Sequence, residues 1–379
     1  MKRLLRGIAN AADLSKREQE LLAAWVQATQ SHRANDYAKA HEALRVALEG
    51  GLERLVLVAP LKTWGQPIIN VLLLKPVHSK FLEIKSTWGD KLPALPSHFP
   101  VEIVAGVGPY SSGGHMVLFT SSIALNGATE NNPIGLEFIN VWRARLAVAL
   151  PWLANLSDSA LSSRLQSLAA DKECLDRAVL SSILCHEAGH VEGPLPIFGS
   201  EDKVSALRMK WAEYAPNEEA IDVTIAMLSD LSADVAFVGL LSLDSLAVVV
   251  AYHLMNLLHC WNNEPYEPAN WKPMRTDPDG LGGAIVAEAL MKHRQNGFIT
   301  SSTINATFGD LRHVVNGITA AIANGQLGKV LELTKNSLSS EVQRLLTMPI
   351  ADATPLFADS LCKKIDMKPF RDLAEALSV

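Results

Sequence analysis

The stretch Ala178-Val179-Leu180-Ser181-Ser182-Ile183-Leu184-Cys185-His186-Glu187-Ala188-Gly189-His190 decides how the rest of the chain is read. Its first seven residues are apolar or small and suit a buried helix that reaches back to about Asp171. His186 and His190 stand four apart, so on a helix both imidazoles project from one face. That spacing lets two nitrogen ligands share one ion at about 2.0–2.1 Å. Glu187, one step round, can reach a metal-activated water without being a ligand and is the candidate general base. Gly189 and Gly193-Pro194 are expected to end the helix. The competing reading is two surface histidines at the end of a core helix, and the apolar run before them speaks against it. Cys185, rotated about 100° from His186, is expected to pack rather than ligate.

A catalytic zinc takes three protein ligands and keeps one open position. The third ligand is expected to be a carboxylate on a later helix, and the segment from Asn217 to Leu241 offers two groups. In the first, Asn217-Glu218-Glu219-Ala220-Ile221-Asp222, Glu218 or Glu219 would bind. The run looks like the Asn-Glu-x-x-x-Asp helix of thermolysin-type peptidases. In the second, Ser229-Asp230-Leu231-Ser232-Ala233-Asp234-Val235, Asp230 would bind. Asp234, one turn on, would hydrogen-bond the outer nitrogen of a ligand histidine. Glu218 and Glu219 follow Pro216 at a helix start, where the dipole alone favours acidic residues. Asp230 and Asp234 sit in an apolar stretch, so Asp230 is favoured, with Glu218 and Glu219 as the alternatives.

Working outward, three cysteines besides Cys185 are spread through the 379 residues (Cys174, Cys260 and Cys362), and none has C-x-x-C spacing. They read as reduced thiols of a cytoplasmic protein, not a disulfide framework. The net charge of −6 and the absence of a basic block give no footing for nucleic acid or an anionic membrane. Val235–Leu258 is long enough to span a bilayer, but Asp244, His253 and Asn256 interrupt it, so a pair of core helices is expected. The N-terminal fifty residues read as helices, with a capping box at Ser15-Lys16-Arg17-Glu18 and a stop at Gly50-Gly51. Runs at 55–59, 68–74, 101–105 and 115–120 read as strands, which places a sheet between about 52 and 128. From about Gly135 onward the pattern is helical.

The fold class is therefore α+β: N-terminal helices and a small mixed β-sheet, followed by a mostly α-helical metal-binding half. A soft boundary falls near residue 165. Residues 1–165 would form one wall of a cleft and residues 166–379 would carry the metal helix. There is no G-x-S-x-G nucleophile pattern and no phosphate-binding glycine loop in strand–helix context. His253 and His259 lie on an apolar helix, where a lone histidine is more often a satisfied core residue; His253 is nonetheless kept, with Asp279, as a candidate to support the metal ligands or touch substrate. Asp277-Pro278-Asp279-Gly280 has the chemistry of a turn.

Together these residues resemble the dipeptidyl peptidase III-like zinc metallopeptidases, a gluzincin-type family with the H-E-x-x-H motif. The resemblance runs through short motifs between about residues 100 and 300. His186 to Pro194 is similar to the family's His-Glu motif and its Gly-Pro turn. Leu228-Ser229-Asp230-Leu231-Ser232-Ala233-Asp234-Val235 falls on a Glu-Glu-x-x-Ala-Asp/Glu pattern, with Asp230 at the ligand place. Val107-Gly108-Pro109-Tyr110 looks like a Gly-Pro-Tyr element, which adds Tyr110 to the substrate candidates. Asp279-Gly280-Leu281-Gly282-Gly283-Ala284-Ile285 resembles a His-Gly-x-Gly-x-Ala-Ile stretch. Two departures stand out: Asp230 is one methylene shorter than the family glutamate, and Asp279 replaces a histidine that helps stabilise the transition state. The resemblance implies a zincin-like fold, zinc, and cleavage of a small peptide or amide-containing substrate. Two histidines and one aspartate are also the facial triad of non-haem Fe(II) oxygenases, so Fe2+ and a specialised biosynthetic oxidation form the alternative. A non-catalytic metal-binding module is the third reading.

Overall fold

The computed structural model describes residues 1–62, 67–77, 97–120, 134–192, 218–263, 278–324, 338–361 and 365–378, with Glu83, Ser86, Trp88, Leu92 and Gln326 outside those runs. The Gly193-Pro194 turn, Asn217, Asp277 and Cys362 lie outside the described residues, as do the side chains of Glu218, Glu219 and Asp222. The chain is α+β and divides into two compact units. One comprises Met1–Thr87, Pro96–Arg145 and Asp352–Val379; the other comprises Trp88–Leu95 and Leu146–Ala351. Residue 165, the boundary expected from sequence, lies inside a helix of the second unit.

The first unit opens with α1 (Lys2–Ala11), α2 (Lys16–Ser31) and α3 (Ala34–Glu49). The capping box forms: Ser15 Oγ accepts from Glu18 N, and Glu18 Oε2 accepts from Ser15 N at 2.7 Å. Glu18 Oε1 also accepts from the backbone of Arg54 at 2.8 Å, tying the start of α2 to the chain entering the sheet. The strands are β1 (Leu55–Lys62), β2 (Pro67–Pro76), β3 (Ser97–Val107), β4 (Val117–Phe119) and β5 (Ile134–Phe138), in the order β1-β2-β3-β5-β4. All neighbours are antiparallel except β3 and β5, so the sheet is mixed. Leu55 to Ala59 are all buried, as the continuous apolar run required.

The strand β5 corrects the sequence reading, which counted everything beyond Gly135 as helix. Ile134-Gly135-Leu136-Glu137-Phe138 is buried throughout and runs straight into α4 (Ile139–Ala154), so no polar break marks the change. Its pairing with β3 ends at Val101 and Phe138. The next β3 backbone groups find a side chain instead. Asn140 Oδ1 accepts from Ile103 N at 3.1 Å, and Asn140 Nδ2 donates to Ile103 O at 2.8 Å, so both peptide groups of Ile103 are satisfied. The last helices, α12 (Thr354–Ser360) and α13 (Lys368–Leu377), return to this unit, where Phe357, Phe370 and Leu373 join its core.

The second unit is helical: α5 (Ser159–Ala170), α6 (Lys172–Glu192), α7 (Glu218–Ala236), α8 (Leu243–Asn263), α9 (Pro278–Lys292), α10 (Ser301–Ala323) and α11 (Ser340–Leu346). Helix α6 begins where the sequence placed it, with Asp171 Oδ1 accepting from Glu173 N and Cys174 N. The long apolar stretch Val235–Leu258 is two helices, broken by a short 3-10 turn at Val238–Leu240. Leu243–Trp261 is long and apolar enough to cross a membrane by composition, and 72% of its apolar window is buried inside the protein.

Helix α6 packs on α7 and α8, and α9 packs on α7, α8 and α10. Two of these contacts need glycine. A Cβ on Gly189 would run into the main chain of Ala233, 2.6 Å from its Cα, so α6 and α7 meet backbone to backbone. A Cβ on Gly283 would meet the carbonyl of His253 and lie 2.8 Å from Leu257 Cβ, which holds α9 close against α8.

Candidate metal centre

The close contact at Gly189 lays the polar faces of α6 and α7 side by side. His186 Nδ1 is 2.8 Å from Asp234 Oδ1, and His190 Nδ1 is 3.0 Å from Ser229 Oγ. Residue numbers rise along one helix as they fall along the other, so the two run antiparallel at the site. The outer nitrogen of each histidine is thus engaged, and the two Nε2 atoms converge at 3.0 Å. Asp234 is an acceptor, so His186 donates its Nδ1–H outward and its neutral ring turns the Nε2 lone pair inward; the Ser229 hydroxyl can accept from or donate to His190 Nδ1, and in the accepting case His190 Nε2 does the same. Two lone pairs at that distance repel unless a cation, either a proton or a metal ion, lies with them.

His186, Glu187 and His190 offer ligand atoms that all lie within 4.8 Å of one another. Asp230 Oδ1 stands 3.7 Å from His190 Nε2. Two imidazole nitrogens with nearby carboxylates form a donor set that suits zinc, and ferrous iron as well. Two nitrogens bound tetrahedrally at about 2.0–2.1 Å would be about 3.3 Å apart, close to the separation here.

The charges follow the same layout. Burial, the largest influence on His186, acts to lower its pKa, but Asp234, Glu187 and Asp230 outweigh it and push the value up to about 10. Asp230 is pushed up to about 7, first by burial and then by Asp279 and Asp234, against the opposing pull of His186 and His253. Burial would raise Asp234 too, but His186 and His253 hold its carboxyl well below the usual carboxylate range. Asp234 is therefore ionised and accepts a second hydrogen bond, from His253 Nε2 to its Oδ2 at 2.6 Å.

Of the residues singled out in the sequence, His186, Glu187, His190, Asp230, Asp234 and His253 come together in the second unit. Asp279 is exposed in the first turn of α9, a helix start rather than the surface turn expected from sequence, and its charge acts on Asp230. Tyr110 belongs to the first unit. It takes a backbone hydrogen bond into Asn70 Oδ1 at 3.1 Å and stacks on His115 with ring centres 4.2 Å apart. His259 is exposed. Cys185 is buried, points its thiol towards Phe237 O at 3.9 Å, and has its pKa pushed up to about 12 by burial, so it packs and does not ligate.

Gly189 does not end the helix as expected; α6 runs on to Glu192, and the residue serves the approach of α7 instead. Two residues escaped the sequence reading. Ser229 carries no metal-ligating chemistry of its own, although it lies five residues before Asp234 as His190 lies four after His186. Tyr252 is held well above its ordinary pKa by burial and then by Asp279, Asp230 and Asp234, which brings its hydroxyl into the field of the same carboxylates.

No protein-family model matches the sequence, and no curated protein matches it. Among solved structures the chain is similar to DPP III from Caldithrix abyssi, with a TM-score of 0.56 at 12% sequence identity over 96% of this chain and 69% of that one. At this identity the likeness is one of fold alone.

Proposed function

We propose that this protein is a zinc-dependent metallohydrolase that cleaves a peptide or other amide bond. The observation that carries the proposal is the convergence of His186 Nε2 and His190 Nε2 at 3.0 Å, with each Nδ1 already occupied. The fold likeness to DPP III supports the same reading, as does the resemblance of the His186–His190 and Asp230–Asp234 stretches to that family's motifs. His186 and His190 would hold the ion through Nε2, with Asp230 as third ligand. Bound zinc supplies Lewis acidity, which acidifies water and polarises the scissile carbonyl. Glu187, buried beside the two histidines, takes the proton of the attacking water on its carboxylate and passes it to the leaving amine. Asp234 fixes the tautomer of His186 so that its Nε2 lone pair faces the site, and Ser229 orients the ring of His190. The substrate is a small peptide or an amide-containing small molecule. The location is cytoplasmic, in keeping with free thiols at Cys174, Cys185 and Cys260.

The test is elemental analysis of protein purified without added metal, for wild type and Asp230→Ala together, followed by turnover of a peptide library by Glu187→Gln. One equivalent of zinc, lost in Asp230→Ala, and a Glu187→Gln variant that keeps zinc but not turnover would support the proposal. Retained turnover in Glu187→Gln would overturn the mechanism. Iron in place of zinc would favour the oxygenase, and no metal would favour the binding module.

A further inference from the structure

His253 is 3% exposed and lies on α8, a third helix beyond the two that carry the converging histidines. Its Nε2 lies 2.6 Å from Asp234 Oδ2, while the other oxygen of the same carboxylate lies 2.8 Å from His186 Nδ1. One buried carboxylate thus serves two imidazoles. An ionised carboxylate only accepts, so both histidines donate to it. Among the described residues, His253 Nδ1 is buried with no hydrogen-bond partner, so the ring's polar contact there is the one to Asp234. Helix α9 sets the ring from the other side: a Cβ on Gly282 would lie 3.7 Å from Nδ1, and Gly283 lies against the His253 carbonyl.

Each of these facts has the same consequence. An aspartate side chain can rotate its carboxylate about the terminal torsion, which is broad and soft. With a single partner, Asp234 could turn and leave His186 free to swing or change tautomer. A second charge-assisted hydrogen bond from the opposite side removes that freedom.

We infer that His253 is a positioning residue of the metal centre, locking Asp234 so that His186 keeps Nδ1–H outward and Nε2 towards the ion. The inference rests on the metal-centre reading above. It extends the site to three helices and makes α8 part of its support.

The test measures zinc dissociation constants by competition with a chromophoric chelator, using the full chain. The variants are His253→Leu and His253→Met, which fill the space without a donor, and His253→Gln, which keeps an N–H. Asp234→Asn and the double variant Asp234→Asn/His253→Leu complete a cycle. The apolar variants are expected to weaken zinc by about 10–100-fold, the usual cost of losing an outer partner of a ligand. His253→Gln should recover most of that loss. On the Asp234→Asn background, His253→Leu should change affinity by no more than about twofold, because the group it acts through is already impaired. Cobalt-loaded His253→Leu should also show displaced visible bands relative to wild type. Zinc affinity unchanged within about twofold in both apolar variants, or losses that simply multiply in the double variant, would overturn the inference alone. A wild-type protein that binds no zinc would bring down the metal-centre reading and this inference with it.

Discussion

The second unit contains two helix contacts closed by glycine, and they do different things. Where α6 meets α7, Gly189 lies on Ala233, and the neighbouring side chains are His186, His190, Ser229 and Asp234. Where α8 meets α9, Gly283 lies on His253 and Leu257 and the surroundings are mostly apolar, with Leu254, Leu257, Ala284 and Ala287 all buried. The first contact brings two imidazole Nε2 atoms together at 3.0 Å. The second gains from burial alone and holds one histidine in place. The same backbone device, close approach without a Cβ, yields a site only when polar groups flank it.

The sharpest way to break this comparison is to add one methyl group at each contact. Gly189→Ala should cost about 3 kcal/mol, at the upper end for an overpacked site, because the obstacle is backbone. It should also lower zinc affinity by about 100-fold or more, since both histidines move with it. Gly283→Ala should cost about 1–3 kcal/mol, with zinc weakened by less than about tenfold through His253. Denaturant unfolding and chelator competition measure both. Equal zinc losses in the two variants would erase the distinction.

The next effect separates the two outer partners. Asp234→Asn should weaken zinc by about 100-fold and Ser229→Ala by about 10-fold, because a charged partner contributes more than a hydroxyl. Titrations that reverse this order would reassign the role of Asp234.

The pH dependence of the metal-free protein follows from the same residues. His186 has its pKa raised from 6.5 to about 10. Its protonated pair with Asp234 therefore stabilises the fold fully below about pH 6.5, and that stability is lost as pH rises through about 10. Asp230, raised to about 7, adds a fall in stability from about pH 4 to 7, and Cys185, raised to about 12, adds one above about pH 9, so the range from about 7 to 9 separates His186 from both. Melting of chelator-treated protein should fall between about pH 7 and 9, and Asp234→Asn should flatten that slope. The smallest effect is expected from Asp279→Asn. Removing that charge lowers the pKa of Asp230, so zinc binding should persist to a slightly lower pH. An unchanged pH midpoint would show that Asp279 does not act on Asp230.

Much of this was legible from residue spacing. The four-residue step from His186 to His190, answered by the four-residue step from Asp230 to Asp234, gives both faces of the contact before any coordinates. The capping box and the apolar runs of β1, β2 and β3 were equally plain. Three features were not. The strand β5 merges into α4 without a polar break, and a buried strand and a buried helix start look alike over five residues. Gly189 was read as a stop because glycine commonly ends helices, whereas its use here depends on a backbone far away in sequence. His253 reads first as a core histidine, and its link to Asp234 stays hidden because that partner lies nineteen residues back on another helix.

The return of α12 and α13 to the first unit bears on how the chain matures. Helix α13 packs on α1 and β2, and Pro369 lies against Gly7, so the first and last helices meet. During synthesis the second unit emerges whole while the first unit still waits for Phe357, Phe370 and Leu373. A nonsense mutation near residue 351 would therefore spare the half that carries the histidines and strip the sheet of its final cover. The unit made first is the one finished last.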